Sequence, residues 1–450
     1  MTPYTEKVDG GPREGSAQDM SFDQIAALVV LVAVVGVLIH GKVRSDVAAL
    51  SAAAALLLLG VIRPVEVQGA FASPAVIALA CLFVMAYAIE LSGLMGLLIR
   101  QATVLCAKLG KLGLWLVIIL CGGASAFLNN TPIVVLAAPV VRDVATSMSL
   151  SPKRFLIPLS YIAIMGGACT LIGTSTNLLV NDMARNAGQP VFGMFEITPV
   201  ALIIAAVGGA YLFFFGSRLL ANGVDDGEGH GPHEQTGDGM LGDLKLFAID
   251  QPFQPRRAMI AMGVFVAVIA AAALGIAPIA AAGFAGAVIL ILLKIITPEE
   301  AYAGLRPEVL LLIAGMVVVG LAIEVTGLAA AGTELLIDFI RPLGPWAALA
   351  ILYGVTLFAT ELLSNAAVAV LITPVAVALA ESLGVDPRPF LIGVMMAASA
   401  AFATPFGYQT NVLVFQVGKY KYMDFVKVGV PLNLVTWIAG VGVIPLFFPF

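Results

Sequence analysis

The chain has little charge, almost no histidine and few cysteines, and each shortage removes a class of protein. Only 11% of its 450 residues are charged, where a soluble domain carries roughly a quarter, so a water-soluble globule is excluded. Its three histidines, His40, His230 and His233, fall at the end of an apolar run or in a polar stretch, and no HExxH or GxGD sequence occurs. An intramembrane hydrolase would have no metal ligands, carboxylate pair or Ser-His couple to work with, and the chain is expected not to be an enzyme. Cys81, Cys106, Cys121 and Cys169 are scattered through apolar stretches with no CxxC spacing. That fits buried thiols rather than a disulfide or a metal cluster. The first twenty residues lack an apolar core and do not read as a cleavable signal peptide. The apolar segment from Phe22 to Ile39 would itself direct insertion.

What is there is hydrophobic length. Apolar residues make up 60% of the chain, and many runs reach the ~20 residues needed to cross a bilayer. Candidate spans are 22–40, 46–62, 75–99, 155–182, 198–217, 258–274, 277–296, 307–331, 389–418 and 425–449. Two stretches, 112–141 and 344–380, are too long for one span and carry Asn129-Asn130-Thr131 and Ser364-Asn365 in their middles. A straight helix would strand those amides in lipid. Arg100, Lys108 and Lys111 precede the first stretch, and Arg142, Lys153 and Arg154 follow it. Positive charge marks the cytoplasmic side, so both ends lie inside and the segment is expected to be a re-entrant hairpin. Such backbone is tolerated at membrane depth only where protein or water surrounds it.

The same charge rule sets the remaining topology. Lys42 and Arg44 fall inside, as do Arg218, Arg256, Arg257, Lys294, Arg306, Lys419, Lys421 and Lys427; the second hairpin, flanked by Arg341 and Arg388, falls outside. Each half then holds five spans and one hairpin, and because five is odd the second half must be inverted. The residues themselves repeat. Asn130-Thr131-Pro132-Ile133-Val134-Val135-Leu136-Ala137-Ala138-Pro139 returns as Asn365-Ala366-Ala367-Val368-Ala369-Val370-Leu371-Ile372-Thr373-Pro374, and Glu90-Leu91-Ser92-Gly93 as Glu324-Val325-Thr326-Gly327. Gly173-Thr174-Ser175-Thr176-Asn177 returns as Gly407-Tyr408-Gln409-Thr410-Asn411.

The expected fold is therefore an all-α integral membrane protein. It is an inverted repeat of five transmembrane helices plus one re-entrant hairpin per half, with unwound helices at the midplane. The expected layout is a polar tail (1–21), a first repeat (22–220), an acidic glycine-rich cytoplasmic linker (221–256) and a second, inverted repeat (257–450). Internal repeats in so apolar a chain point to a secondary transporter whose site lies where the halves meet. Multi-pass residence in the cell's inner (plasma) membrane follows, with the bilayer itself as a partner and no nucleic acid.

Chemistry is expected at four intramembrane polar elements: the two hairpin tips and the two Gly-x-x-x-Asn sites within spans 155–182 and 389–418. Glycine and small hydroxyl residues compete with a continuous helix, so each span should unwind there. Freed N–H groups suit an anion, while carbonyls, amide oxygens and hydroxyls suit Na+. No Lys or Arg lies in any of the four elements, so a co-bound Na+ would supply the positive field that an anionic substrate needs. Glu90 and Glu324 are expected to cap or hinge helix ends. Glu361, four residues before Asn365, is the one hairpin carboxylate placed to carry a proton.

These motifs resemble the divalent anion:sodium symporters, the sodium/sulfate and sodium/dicarboxylate transporters of the ion transporter superfamily. The resemblance runs from about residue 22 to the C-terminus. It is carried by Ser125-Ala126-Phe127-Leu128-Asn129-Asn130-Thr131-Pro132, Ile172-Gly173-Thr174-Ser175-Thr176-Asn177, Thr360-Glu361-Leu362-Leu363-Ser364-Asn365 and Thr404-Pro405-Phe406-Gly407-Tyr408-Gln409-Thr410-Asn411. It implies one Na+ site from Ser125, Asn130, Gly173 and Asn177, and another from Thr360, Asn365, Gly407 and Asn411. It implies an anion held by Asn129, Asn130, Thr131, Thr174, Ser175, Ser364, Asn365, Tyr408 and Gln409. Ala366 lacks the hydroxyl that the family places at the second tip, and the Thr-Pro-Pro type of sequence common in dicarboxylate carriers is absent. The resemblance also implies a homodimer working by an elevator motion, with Na+ as coupling ion and no organic cofactor. The expected activity is Na+-coupled import of a small divalent anion, with sulfate or a related oxyanion ahead of C4-dicarboxylates. The alternative is a Na+/H+ or arsenite-type antiporter. Under the alternative Glu361→Gln abolishes transport; under the leading reading it leaves uptake largely intact.

Overall fold

The computed structural model describes residues 21–40, 43–94, 96–97, 101, 109–216, 219–220, 252–328, 343–405 and 407–450. The tail to residue 20, the linker up to residue 251 with His230 and His233, and Lys42, Arg100, Cys106, Lys108, Arg218 and Arg341 lie outside the described residues.

The first half supplies α1 (Phe22–His40), α2 (Ser45–Leu58), α3 (Pro64–Phe71) and α4 (Pro74–Leu91), then α5 (Lys111–Ser125) and α6 (Asn130–Ser147). It continues with α7 (Lys153–Gly167), α8 (Ser175–Asn186) and α9 (Thr198–Tyr211), the last extended by a π-helical turn over Leu212–Gly216. The second half supplies α10 (Pro255–Ala273), α11 (Ile279–Leu292), α12 (Pro298–Gly304) and α13 (Pro307–Val325). After these come α14 (Gly344–Ala359), α15 (Asn365–Leu383), α16 (Arg388–Ser399), α17 (Gln409–Val417) and α18 (Tyr422–Phe447). Six helical stretches among the described residues are long and apolar enough to cross a membrane.

Local chemistry sets these ends. Proline opens α3, α4, α10, α12 and α13, where its missing N–H costs nothing. Ser73 caps α4 by accepting from the Val76 N–H at 3.2 Å. The repeated Glu-x-x-Gly pairs are helix stops: α4 ends at Leu91 and α13 at Val325. Gly93 and Gly327 then turn the chain left-handed at φ +70° and +69°, a conformation that costs other residues dearly. Glu90 and Glu324 sit in the last turns of those helices.

Both long polar stretches break where their amides lie. The first becomes α5 and α6, separated at 126–129, and runs on to Ser147 rather than 141. Met148, just past α6, lies 3.9 Å from where a Gly110 Cβ would stand, just before α5, so the two arms fold back on each other. The second becomes α14 and α15, broken at 360–364 and ending at Leu383 rather than 380. Spans 155–182 and 389–418 are each two helices: α7 and α8 around 168–174, and α16 and α17 around 400–408. The span expected over 46–62 is helical only to Leu58.

Each hairpin packs on the helix that follows it, α5 and α6 on α7, and α14 and α15 on α16. The halves then exchange partners: α8 packs against α15, and α17 against α6. This exchange brings the start of α17 to the first hairpin tip and the start of α8 beside α15. Helices α2 and α4 join the halves elsewhere, against α13 and α11.

Candidate functional site

At the first hairpin tip the chain stops being helical after Ser125, and Asn129 restarts it by accepting from the Thr131 N–H at 3.2 Å. Asn130 is thereby turned inward, 1% exposed. Its Oδ1 accepts from the Ser125 hydroxyl. At the second tip Ser364 caps α15 through the Ala367 N–H at 3.3 Å. There the Thr360 hydroxyl stands 2.8 Å from both Asn365 Oδ1 and the Ala398 carbonyl oxygen, which share its one proton.

The unwound segments are tied down in matching fashion. Asn177 Nδ2 donates to the Ala168 and Thr170 carbonyls at 3.2 and 2.9 Å. Asn411 Nδ2 donates to the Ala401 and Thr404 carbonyls at 2.8 and 3.2 Å. The Gly173 and Gly407 N–H groups donate to the Thr170 and Thr404 hydroxyls, each at 3.1 Å. These asparagines replace backbone hydrogen bonds that the broken helices have lost, which is why an amide stands one turn after each glycine.

Gly173 has a second reason to lack a side chain. A Cβ there would overlap the Gly167 carbonyl oxygen and stand 2.7 and 2.9 Å from those of Ala126 and Ser125. Three backbone acceptors therefore converge on this glycine. A Cβ at Gly167 would in turn strike the Asn130 amide. Around Gly407 the neighbours differ: Ala401 Cβ at 2.9 Å, Thr404 Oγ1 at 3.0 Å and Glu361 Oε2 at 3.4 Å.

The first tip and the second unwound segment bond directly. Asn130 Nδ2 donates to the Tyr408 hydroxyl at 2.9 Å, and the Thr131 hydroxyl donates to Gln409 Oε1 at 3.1 Å. Ser125, Asn130, Gly173, Asn177, Thr360, Asn365 and Asn411 are all buried. Of the residues expected to hold an anion, Asn129, Ser175, Ser364, Tyr408 and Gln409 keep some exposure, whereas Thr131 and Thr174 are buried. Ser175 opens α8, and Thr174, the residue before it, has its side chain against Tyr408.

Glu361 is engaged far more heavily than its position in the chain suggests. Its Oε1 accepts from the Phe402 and Ala403 N–H groups at 2.8 and 2.7 Å and from Asn433 Nδ2 at 2.8 Å. Its Oε2 accepts from the Thr404 N–H and hydroxyl, both at 3.0 Å. The carboxylate is thus the anchor that shapes the second unwound segment. Glu361→Gln would set an amide NH2 against one of these sets of donors, so the expectation that it leaves uptake largely intact is revised: the substitution disturbs the fold of the site whichever ion is coupled.

Sequence reasoning passed over four contributors. Asn433, a lone amide within the 26-residue α18, carried a usable signal, since intramembrane polar residues are functional candidates by default. Ser160, Thr170 and Gly167 carried none, because small residues are common wherever membrane helices pack.

Residues 29–384 match the family described as citrate transporter. A Synechocystis sp. protein described as an uncharacterized transporter is 24% identical over 88% of this chain and 92% of its own length. Sodium/sulfate cotransporter 1 of Chlamydomonas reinhardtii is 32% identical over 33% of this chain and 17% of its own. Among solved structures, the YdaH transporter of Alcanivorax borkumensis has a similar fold, with a TM-score of 0.60 over 95% of this chain and 98% of that one at 11% identity.

Proposed function

We propose, from the premise that the chain belongs to the citrate transporter family and is a multi-pass membrane transporter, that it couples inward movement of a small divalent anion to Na+. Sulfate or a related oxyanion is the first candidate, and a C4-dicarboxylate the second. The observation that carries this reading is the pairing of a buried, neutral oxygen set with partly accessible hydroxyl and amide groups beside it. Ser125, Asn130, Gly173 and Asn177 form such a set, and Thr360, Asn365, Gly407 and Asn411 are its repeat counterpart beside the Glu361 carboxylate. Hard cations take oxygen ligands, and unwound helices in carriers offer carbonyls to Na+ and N–H groups to anions. Asn129, Thr131, Thr174, Ser175, Ser364, Tyr408 and Gln409 complete the anion side. A relative named sodium/sulfate cotransporter supports the choice of ion and of oxyanion.

Proton-coupled exchange has less support. Glu361, the hairpin carboxylate on which it would rest, accepts five hydrogen bonds. In the proposed arrangement 22–220 and 257–450 are inverted repeats joined by a cytoplasmic linker. A homodimer in the cell's inner membrane carries the site across by an elevator motion.

The test is uptake of radiolabelled sulfate, succinate and citrate into proteoliposomes with and without an inward Na+ gradient, for wild type and Asn130→Ala. One anion whose uptake needs Na+ and is lost in the variant supports the reading and selects the substrate. Uptake indifferent to Na+, or an internal pH change driven by Na+ with no anion moving, sinks it.

A further inference from the structure

We infer that the two repeat-related centres are chemically unequal: the first binds the coupling cation, and the second is closed to cations and offers a donor to the anion. Na+ coupling, as proposed above, is the premise.

The difference lies in which polar atoms are left over. Asn177 is fully buried, and its Oδ1 has no donor. A buried acceptor without a partner is rare and calls for a ligand. It stands one turn after the glycine on which the Ser125, Ala126 and Gly167 carbonyls converge. Beside it Asn130 Oδ1 accepts only from Ser125. The Ala126 carbonyl already accepts from the Thr170 hydroxyl, but the Asn177 oxygen has no donor, and an oxygen-rich pocket with such a vacancy is completed by a cation.

In the second half two of these features differ, while Asn365 Oδ1, like Asn130 Oδ1, accepts only from one hydroxyl, that of Thr360. Asn411 Oδ1, the counterpart of the free Asn177 oxygen, accepts from the Ser160 hydroxyl at 2.7 Å, and Ser160 also pairs with Thr410 Oγ1 at 2.7 Å. An amide oxygen can only accept, so the Ser160 proton belongs to it. The repeat position of Ser160 is Met395, which has no hydroxyl and leaves Asn177 Oδ1 free. Gly407 meets a methyl group, a hydroxyl and a carboxylate in place of three carbonyls. That carboxylate, Glu361, already accepts from five donors, so its charge is met within the protein.

The leftover atom on the second hairpin tip is a donor, and the Oδ1 of Asn433, whose Nδ2 bonds Glu361, is an unpartnered acceptor behind it on α18. Asn365 Nδ2 is buried and unpartnered; it repels a cation and suits an anion oxygen. Its counterpart Asn130 Nδ2 is satisfied by the Tyr408 hydroxyl at 2.9 Å. At the repeat position of Tyr408 stands Thr174, a much shorter side chain. Two substitutions between the repeats, Ser160 for Met395 and Tyr408 for Thr174, thus convert a symmetric pair into a cation centre and an anion centre.

The test counts radiolabelled Na+ bound to the purified full-length protein and measures Na+ activation of uptake in proteoliposomes. Wild type is expected to bind one Na+ per chain, with a Hill coefficient of about 1. Ser125→Ala is expected to raise the half-activating Na+ concentration tenfold or more. Thr360→Val, the matching hydroxyl deletion in the second half, should leave that concentration within twofold while raising the anion KM. Two or more bound Na+, or equal Na+ shifts in the two variants, overturns the inference while leaving Na+ coupling intact. No bound Na+ and Na+-independent uptake would instead remove Na+ coupling itself.

Discussion

Gly173 allows three carbonyl oxygens to gather because nothing stands in their way. A methyl group there would meet the Ala126 and Ser125 oxygens at 2.7 and 2.9 Å, inside van der Waals contact. Overpacking of this kind costs about 1–3 kcal/mol, and here it falls on the atoms assigned to the cation. Gly173→Ala is therefore expected to cut uptake at least about tenfold, since 1.4 kcal/mol is a factor of ten, while the protein still inserts. Comparing uptake with the amount of protein in the membrane checks this; normal uptake would remove the carbonyl cluster from the site. Gly173 was legible from its repeat with Gly407. The converging oxygens were not, because two of them belong to the hairpin tip, some 47 residues earlier in the chain.

At the scale of elements, the second broken helix owes its shape to a side chain outside it. Residues 400–408 lie between α16 and α17, and Glu361 accepts three of their backbone N–H groups. An unsatisfied buried donor costs about 1–3 kcal/mol. Glu361→Gln is accordingly expected to lower the thermal midpoint in detergent by several degrees and to reduce uptake equally at pH 6 and pH 8. A variant of normal stability that had lost only its pH dependence would restore the proton-carrier role. Asn433 shares this duty from α18, donating to Glu361 at 2.8 Å.

A second element-scale expectation concerns α12. Burial pushes the Glu300 carboxyl up, but the Thr297 N–H and the Arg257 guanidinium outweigh it and hold Glu300 below its ordinary 4.5. A lowered carboxyl contributes stability above its unfolded pKa and loses it as pH falls through the folded value. With Glu300 a third exposed, the contribution is about 1 kcal/mol at most. Thermal midpoints measured from pH 7 to below pH 4 should fall more steeply for wild type than for Glu300→Gln. Parallel curves would show that the α10–α12 ion pair carries no stability.

At the scale of the molecule, the site exists because the halves exchange elements. Helix α17 of the second half lies on α6 of the first, and α8 of the first lies on α15 of the second. Tyr408 makes one of the bonds across that seam, beside those of Thr131 with Gln409 and Ser160 with Asn411. Tyr408→Phe leaves Asn130 Nδ2, buried with its residue 1% exposed, without a partner, at about 1–3 kcal/mol. Uptake should slow about tenfold or more, and Asn130 then acquires the free donor that Asn365 has in wild type. A variant with unchanged kinetics would show that the two halves are not coupled through this hydroxyl. A further cross-half clamp, Arg388 paired with Glu196 and lying over the Phe192 and Phe448 rings, ties the loop after α8 to the start of α16.

Hydrophobic length, the repeat and the glycine-amide spacing were read from the sequence itself, and they determined the class of the molecule and the places where its helices break. Apolar runs must be helical in lipid, and an amide or small hydroxyl within such a run must either break the helix or find a partner. Those constraints act on a few neighbouring residues and can be read without a fold. Only the tertiary structure decided which leftover atom each centre presents. Asn177 and Asn411 are identical in the sequence repeat, yet one oxygen is free and the other is held by Ser160 from the opposite half. Hydrogen-bond satisfaction is settled by whatever stands within about 3 Å in space, and in this protein those neighbours lie about 250 residues away along the chain.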